Sequence, residues 1–275
     1  MNRTDIRETL NEESIRLTKS LGQNLLHDQN VLRRIVRTAD LQPDDEVLEI
    51  GPGLGALTEH LLSETNALLA IEKDKRLVTH LQRRYGSNVN FKLIHHDAMD
   101  YFLNSETDWS NWKVVSNLPY SVASPLVVDM ALMPKGPRQL VITLQQEVAQ
   151  RICAKPGTKE YGKLTLLVQS SYIPGNMFKI SSHCFFPEPK VDSSCLTLHR
   201  REKPLLPNSL RKPFTTVVKQ AFSQRRKMMR KNLCGNWSGE MVDNAMAVAG
   251  LDVKIRAEKV TLEQFVELTR RLHDA

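Results

Sequence analysis

Apolar and polar residues alternate in blocks along this chain, and the period of the pattern changes from block to block. Between Asp28 and Thr38 apolar residues fall at 31, 32, 35 and 36, the spacing of one helical face. Short apolar runs and helical runs then take turns. Strands are expected at 46–50, 67–72, 90–95, 113–116 and 138–144, with helices at 55–63, 74–85, 124–133 and 146–154. Such alternation predicts a doubly wound α/β fold with a parallel sheet, whose ligands sit outside the carboxyl ends of the strands. Glu49 and Gly51, Glu72, Asp97 and Asn117 all fall at or just after those ends. Separate segments thus direct polar or glycine positions to one edge.

Two later apolar runs, Leu164–Val168 and Ser194–Leu198, suit a terminal antiparallel hairpin. Between them Phe185-Phe186-Pro187-Glu188-Pro189-Lys190 carries prolines that favour a rigid, extended loop. Pro204 and Pro207 mark a linker, so domains are expected over 1–203 and 204–275. Beyond the linker the pattern is helical over 209–222, 225–233, 239–249 and 261–273. Phe214, Phe222, Met228 and Met229 form the expected buried stripe, and Thr261 with Gln264 forms a capping box.

Two segments carry candidate chemistry. In Val47-Leu48-Glu49-Ile50-Gly51-Pro52-Gly53-Leu54-Gly55 a strand runs into a glycine-rich turn, where a ligand can approach the backbone closely. Glu72, closing the next strand, stands where a ribose-binding acid is expected. The pattern admits either NAD or S-adenosylmethionine. The second segment is Asn117-Leu118-Pro119-Tyr120. The Asn117 side-chain oxygen and the Leu118 carbonyl can accept the two N–H bonds of an exocyclic amine on a flat ring. Pro119 restricts the backbone before it, and Tyr120 is placed to stack on the ring. An amine clamp has no evident use in hydride transfer, so it favours the methionine cofactor.

Composition narrows the class. The 275 residues, 41% hydrophobic and 25% charged, suit about two globular domains. The polar start Met1–Ser14 has no secretory character, and the most apolar stretch, Val114–Met133, is broken by Pro119, Pro125 and Asp129. No membrane association is expected. Cys153, Cys184, Cys195 and Cys234 are scattered, which argues against zinc or a disulfide framework and for reduced thiols in the cytoplasm. His95 and His96 would point to opposite faces of a strand, so no metal site is expected. Charge is uneven: Arg200–Lys231 carries eleven Lys and Arg and one acid, Glu202, and so holds +10 in a chain whose total is +7. A polyanion-binding face is expected there.

These segments, with Lys19-Ser20-Leu21-Gly22-Gln23-Asn24, His96-Asp97-Ala98, Tyr161-Gly162-Lys163-Leu164 and Phe222-Ser223-Gln224-Arg225-Arg226-Lys227, resemble the rRNA adenine N6-dimethyltransferase family. The likeness runs from about Leu17 to Leu272 and is greatest to the branch acting on small-subunit (16S) rRNA. It implies a Rossmann-like class I S-adenosylmethionine-dependent methyltransferase fold with a small all-α C-terminal domain. It also implies cofactor contacts from Asn24, Leu26, Gly51, Gly53, Glu72, Asp97 and Asn117, with Glu72 on the ribose hydroxyls and Asp97 on the adenine amine. Asn117, Leu118, Pro119 and Tyr120 would act on the target adenine, sandwiched between Tyr120 and Phe185, and Arg225, Arg226, Lys227, Arg230 and Lys231 would bind RNA. Leu25 stands where the family usually has Phe, and Ser121-Val122 where it has Asn-Ile. The implied partner is 16S rRNA in the small ribosomal subunit or its precursor, met by a monomer.

The reaction implied is direct displacement, in which two hydrogen-bond acceptors on the adenine amine aim its lone pair at the sulfonium methyl. The alternative target is large-subunit rRNA, as in the erythromycin-resistance methylases. Other classes are a ribosome-assembly factor that retains the fold without catalysis, and a nicotinamide dehydrogenase.

Overall fold

The computed structural model describes residues 3–17, 22–104, 106–224 and 226–273. In chain order the strands are β1 (Leu25–Leu26), β2 (Glu46–Ile50), β3 (Ala67–Glu72), β4 (Phe91–His95), β5 (Lys113–Asn117), β6 (Gln139–Gln145), β7 (Tyr172–Ile180), β8 (Phe185–Phe186) and β9 (Ser193–Arg200). Seven of them form one sheet in the order β4-β3-β2-β5-β6-β9-β7, while β1 and β8 pair separately. The first five run parallel, and β9 returns antiparallel along β6 from Gln139 opposite His199 to Gln145 opposite Ser193. Val47, Leu48, Val114, Val115 and Leu140 to Ile142 are all buried, because helices cover both faces of a parallel sheet.

The helices of this part are α1 (Arg3–Glu12), α2 (Gln29–Ala39), α3 (Ala56–Leu62), α4 (Lys75–Tyr85), α5 (Ala98–Asn104), α6 (Ala123–Leu132) and α7 (Gln146–Ile152). Asp28 caps α2 by accepting from the N–H groups of Asn30 and Val31, and Asp74 caps α4 by accepting from Arg76. Neither α1 nor α5 was marked by the hydrophobic pattern.

The run Leu164–Val168 is a helix, α8 (Lys163–Gln169), where a strand was expected. Its five residues are all buried, so no polar face reveals the helical period. The strand at that end of the sheet is β7, whose Pro174-Gly175-Asn176 reads as a turn; its edge position lets it accommodate the proline.

The chain divides into two compact units, Met1–Ala149 with Pro174–Arg200, and Gln150–Ile173 with Arg201–Ala275. The second thus includes α8, a segment that a single cut after residue 203 leaves with the first. Its remaining helices are α9 (Arg211–Ala221), α10 (Met229–Leu233), α11 (Gly239–Val248) and α12 (Leu262–His273). Phe222 stacks on Phe265 at 6.0 Å, and the buried Tyr161 hydroxyl donates to the Val260 carbonyl at 2.8 Å. The capping box is present, with Thr261 N–H donating to Gln264 Oε1 at 3.0 Å and Gln264 N–H to Thr261 Oγ1 at 3.3 Å. Phe214, Phe222 and Met229 are buried as expected, but Met228 is 45% exposed and lies outside that core. Among the described residues no helix is long and apolar enough to cross a membrane.

Candidate active site

A cavity of about 230 Å³ lies where β2, β3, β4 and β5 end, lined by the segments that follow each of them. The glycine turn forms one wall. Gly51 and Gly53 adopt φ of +67° and +61°, which side-chain-bearing residues rarely adopt. A Cβ on residue 53 would also stand 2.6 Å from Leu25 Cδ2. The Gly51 N–H donates to the Ile71 carbonyl at 2.9 Å, tying the turn to the end of β3.

Two buried carboxylates line this wall. Glu72, 5% exposed, accepts the N–H groups of Lys73 and Asp74 at 2.8 Å each and that of Gly53 at 3.3 Å. Burial nevertheless pushes its carboxyl up to about 7. Glu49 accepts from the Thr58 hydroxyl at 2.6 Å; burial, with the charge of Glu72 as a smaller contribution, lifts it to about 8. Asp97 is held differently. Its Oδ1 accepts the Met99 N–H at 2.8 Å and its Oδ2 accepts from Lys73 Nζ at 2.5 Å, a bond that keeps the carboxyl below its usual range.

The opposite wall is the tetrapeptide. The Asn117 side-chain N–H donates to the Asn24 carbonyl at 2.9 Å, which fixes the amide with its oxygen as the remaining acceptor. The Leu118 N–H donates to the Thr143 carbonyl at 3.1 Å, so β6 holds the backbone. Among the described residues nothing donates to the Leu118 carbonyl or to Asn117 Oδ1. Pro119 closes the tetrapeptide as a turn, its carbonyl accepting from Val122 and Ala123 at 3.1 and 3.0 Å. The Tyr120 ring is half-buried at the cavity wall, and its hydroxyl bonds to that of Ser193.

The cavity therefore brings together Asn24, Leu26, Gly51, Gly53, Glu72, Asp97, Asn117, Leu118, Pro119 and Tyr120. It does not include Phe185. That ring is 2% exposed, pairs in register with Leu26 and packs in the core beside Leu32 and Ile180. A stacking residue must present a free face, and Phe185 has none, so the expected sandwich is not assembled in this structure. Lys73, Gln23 and Ser193 are additions. Lys73 and Gln23 line the cavity and bond to Asp97 and Asp74.

Of the expected RNA-binding cations, Arg226, Lys227 and Lys231 are exposed, and Arg225 lies outside the described residues. Arg230 forms a two-pronged pair with Asp243, at 2.5 and 2.8 Å. No cluster of three metal-ligating side chains occurs among the described residues.

Residues 15–274 match the family described as ribosomal RNA adenine dimethylase. The chain belongs to that family. It is 38% identical over 275 residues to the ribosomal RNA small subunit methyltransferase A of Clostridium acetobutylicum, spanning 99% of this chain and 100% of that protein. The enzyme of the same name from Anoxybacillus flavithermus is 37% identical, spanning 98% and 95%. Among solved structures, the 23S rRNA methyltransferase ErmE superimposes with a TM-score of 0.67 at 28% identity, covering 91% of this chain and 100% of that one. A dimethyladenosine transferase from Plasmodium falciparum superimposes with a TM-score of 0.75 at 23% identity, covering 89% and 95%, and shows the shared fold. A ribosomal RNA adenine dimethylase is an S-adenosylmethionine-dependent methyltransferase, which removes the dehydrogenase alternative. The cavity suits that cofactor: a glycine turn without side chains, and the carboxylates of Glu72 and Asp97 at the ends of adjacent strands.

Proposed function

We propose that this chain methylates the N6 amine of two adjacent adenines in the 3′-terminal hairpin loop of 16S rRNA, giving dimethyladenosines during small-subunit biogenesis in the cytoplasm. The observation that carries the reading is the meeting of two walls in one cavity: the glycine turn with its buried Glu72, and the tetrapeptide with two acceptors that no described residue occupies.

Bound there, S-adenosylmethionine supplies a methyl group whose departure leaves a neutral thioether. In this reading Glu72 accepts from the ribose hydroxyls and Asp97 from the cofactor's adenine amine, while Asn24, Leu26, Gly51 and Gly53 shape the slot. The target amine is a poor nucleophile because its lone pair is delocalised into the ring. Asn117 Oδ1 and the Leu118 carbonyl, each accepting one N–H, favour a pyramidal nitrogen with its lone pair directed out of the ring plane. No strong base is required: as the N–C bond forms and the thioether leaves, the nitrogen becomes cationic and acidic, and it gives up one proton to solvent. The rate gain is positional, for which aligned reactants are worth roughly 7–11 kcal/mol. Tyr120, on the tetrapeptide itself, supplies the stacking face. A hairpin adenine has to leave its stack to reach it. The exposed cations Arg226, Lys227 and Lys231 of the mostly helical unit engage RNA phosphates.

The full-length likeness to the small-subunit enzymes, 38% identical over 275 residues, supports 16S rRNA as the target. The test is labelled-methyl transfer to under-methylated small subunits, naked 16S rRNA and large-subunit RNA in parallel. Incorporation at the two loop adenines is expected; transfer confined to large-subunit RNA would overturn the target, and no transfer would overturn the activity.

A further inference from the structure

We infer that Ser193 is a positioning residue for the target adenine, acting through the hydroxyl of Tyr120. The inference rests on the stacking role proposed above and identifies what holds the stacking ring still.

The Tyr120 and Ser193 hydroxyls are hydrogen-bonded to each other, and Ser193 is 0% exposed. The two residues lie 73 positions apart and meet because of one feature of the sheet. Strand β9 runs against its parallel neighbours, so its first residue, Ser193, lies opposite Gln145, the last residue of β6. An antiparallel strand starts at the edge where parallel strands finish, and Ser193 is thereby delivered to the rim that carries the tetrapeptide.

The main chain just before Ser193 is fixed from several sides. The Gln146 N–H donates to the Asp192 carbonyl at 3.0 Å, and the Asp192 carboxylate accepts the Ser182 N–H at 3.0 Å. Lys179 pairs with the same carboxylate at 2.7 Å. Ser193 is therefore an anchor whose own position is set independently of Tyr120. On the other partner, the backbone bonds of Leu118, Val122 and Ala123 fix the tetrapeptide but not the χ angles of Tyr120. A ring attached only through Cβ can change rotamer. The second attachment, at the hydroxyl, fixes its tilt as well. A tilted ring would carry the stacked base with it, moving the amine away from Asn117 Oδ1 and the Leu118 carbonyl.

The test uses the full chain and four variants: Ser193→Ala, Tyr120→Phe, the double substitution and Tyr120→Ala. Tyr120→Phe keeps the stacking face and removes the same bond from the other side. Methyl transfer to under-methylated small subunits is measured as kcat and KM, with S-adenosylmethionine affinity by calorimetry. Quenching of 2-aminopurine placed at the target position in an RNA hairpin reports stacking directly. Ser193→Ala and Tyr120→Phe are each expected to lower kcat by roughly three- to tenfold, the effect of one hydrogen bond. The double variant should lose no more than either single one, because both remove the same interaction. Cofactor affinity should stay unchanged, and 2-aminopurine quenching should fall in all of them. Additive losses, or an unchanged kcat in Ser193→Ala beside an inactive Tyr120→Ala, would overturn the role of the serine and leave the stacking role standing. Full turnover in Tyr120→Ala would overturn both.

Discussion

A Cβ on residue 51 would stand 3.2 Å from Cγ of Pro119, so Gly51 and Pro119 put the glycine turn and the tetrapeptide in direct contact. Gly51→Ala therefore meets two obstacles, the φ of +67° and a ring that has to give way. A left-handed conformation costs a residue with a side chain about 1–2 kcal/mol. The variant is expected to lose roughly tenfold or more in both cofactor affinity and turnover. Gly250→Ala is the control, since it has φ of +66° with nothing within 4 Å of its Cβ. It should lose stability and keep its cofactor affinity, measured by calorimetry.

Glu72 gives the cofactor site a pH dependence. Ribose hydroxyls donate to a carboxylate better than to a carboxylic acid, and burial pushes this group up to about 7 in the free protein. Binding must then release a proton near neutrality. Affinity for S-adenosylmethionine should fall about tenfold from about pH 8 to about pH 6. Glu72→Gln should bind more weakly with a flat profile. Titration calorimetry in buffers of different ionisation enthalpy reads both, and a wild-type profile as flat as the variant's would contradict the assignment.

Glu49 makes a separate prediction about stability. Its carboxyl, ordinarily at 4.5, is raised to about 8 by burial. A raised carboxyl contributes stability fully below its unfolded value and loses it as pH rises through the folded one. The first unit should therefore weaken between about pH 5 and about pH 9. Glu49→Gln removes that dependence, so relative to wild type it should gain on the order of 1–3 kcal/mol as pH rises across this range. Denaturant unfolding at several pH values checks the crossing curves.

The basic surface predicts a salt dependence. Reversing charge at Arg226, Lys227 and Lys231, all exposed, should weaken RNA binding and flatten its dependence on salt, by roughly one in slope for each phosphate no longer neutralised. Arg230→Glu should do more harm to folding than to that slope, because Arg230 already pairs with Asp243. Binding curves over a salt series distinguish the two effects.

The parallel core was legible because its strands are short, mostly apolar runs separated by helical spacing, and because Glu72, Asp97 and Asn117 each fall at or just after the end of one. The cavity followed from that topology. What stayed hidden depends on contacts between distant segments. Nothing near Ser193 announces Tyr120, and nothing near Lys73 announces Asp97; each pair exists only once the strands are in order. Leu164–Val168 misled for a related reason: in a helix whose successive residues are all buried, Thr165 included, a mostly apolar run looks the same as a central strand. Phe185 could not be placed from its motif either, since its burial depends on pairing with Leu26, 159 positions upstream by register.

The interleaving of the two units has a consequence for engineering. Because Gln150–Ile173 belongs with the C-terminal helices, the mostly helical unit is encoded in two separate stretches. Grafting this unit onto a relative, to ask which part of the enzyme chooses its ribosomal target, takes three splice points, at 149/150, 173/174 and 200/201. A chimera joined only at residue 203 would pair the donor's α9 to α12 with the recipient's α8, and its failure would report a mismatched interior, not a rejected substrate.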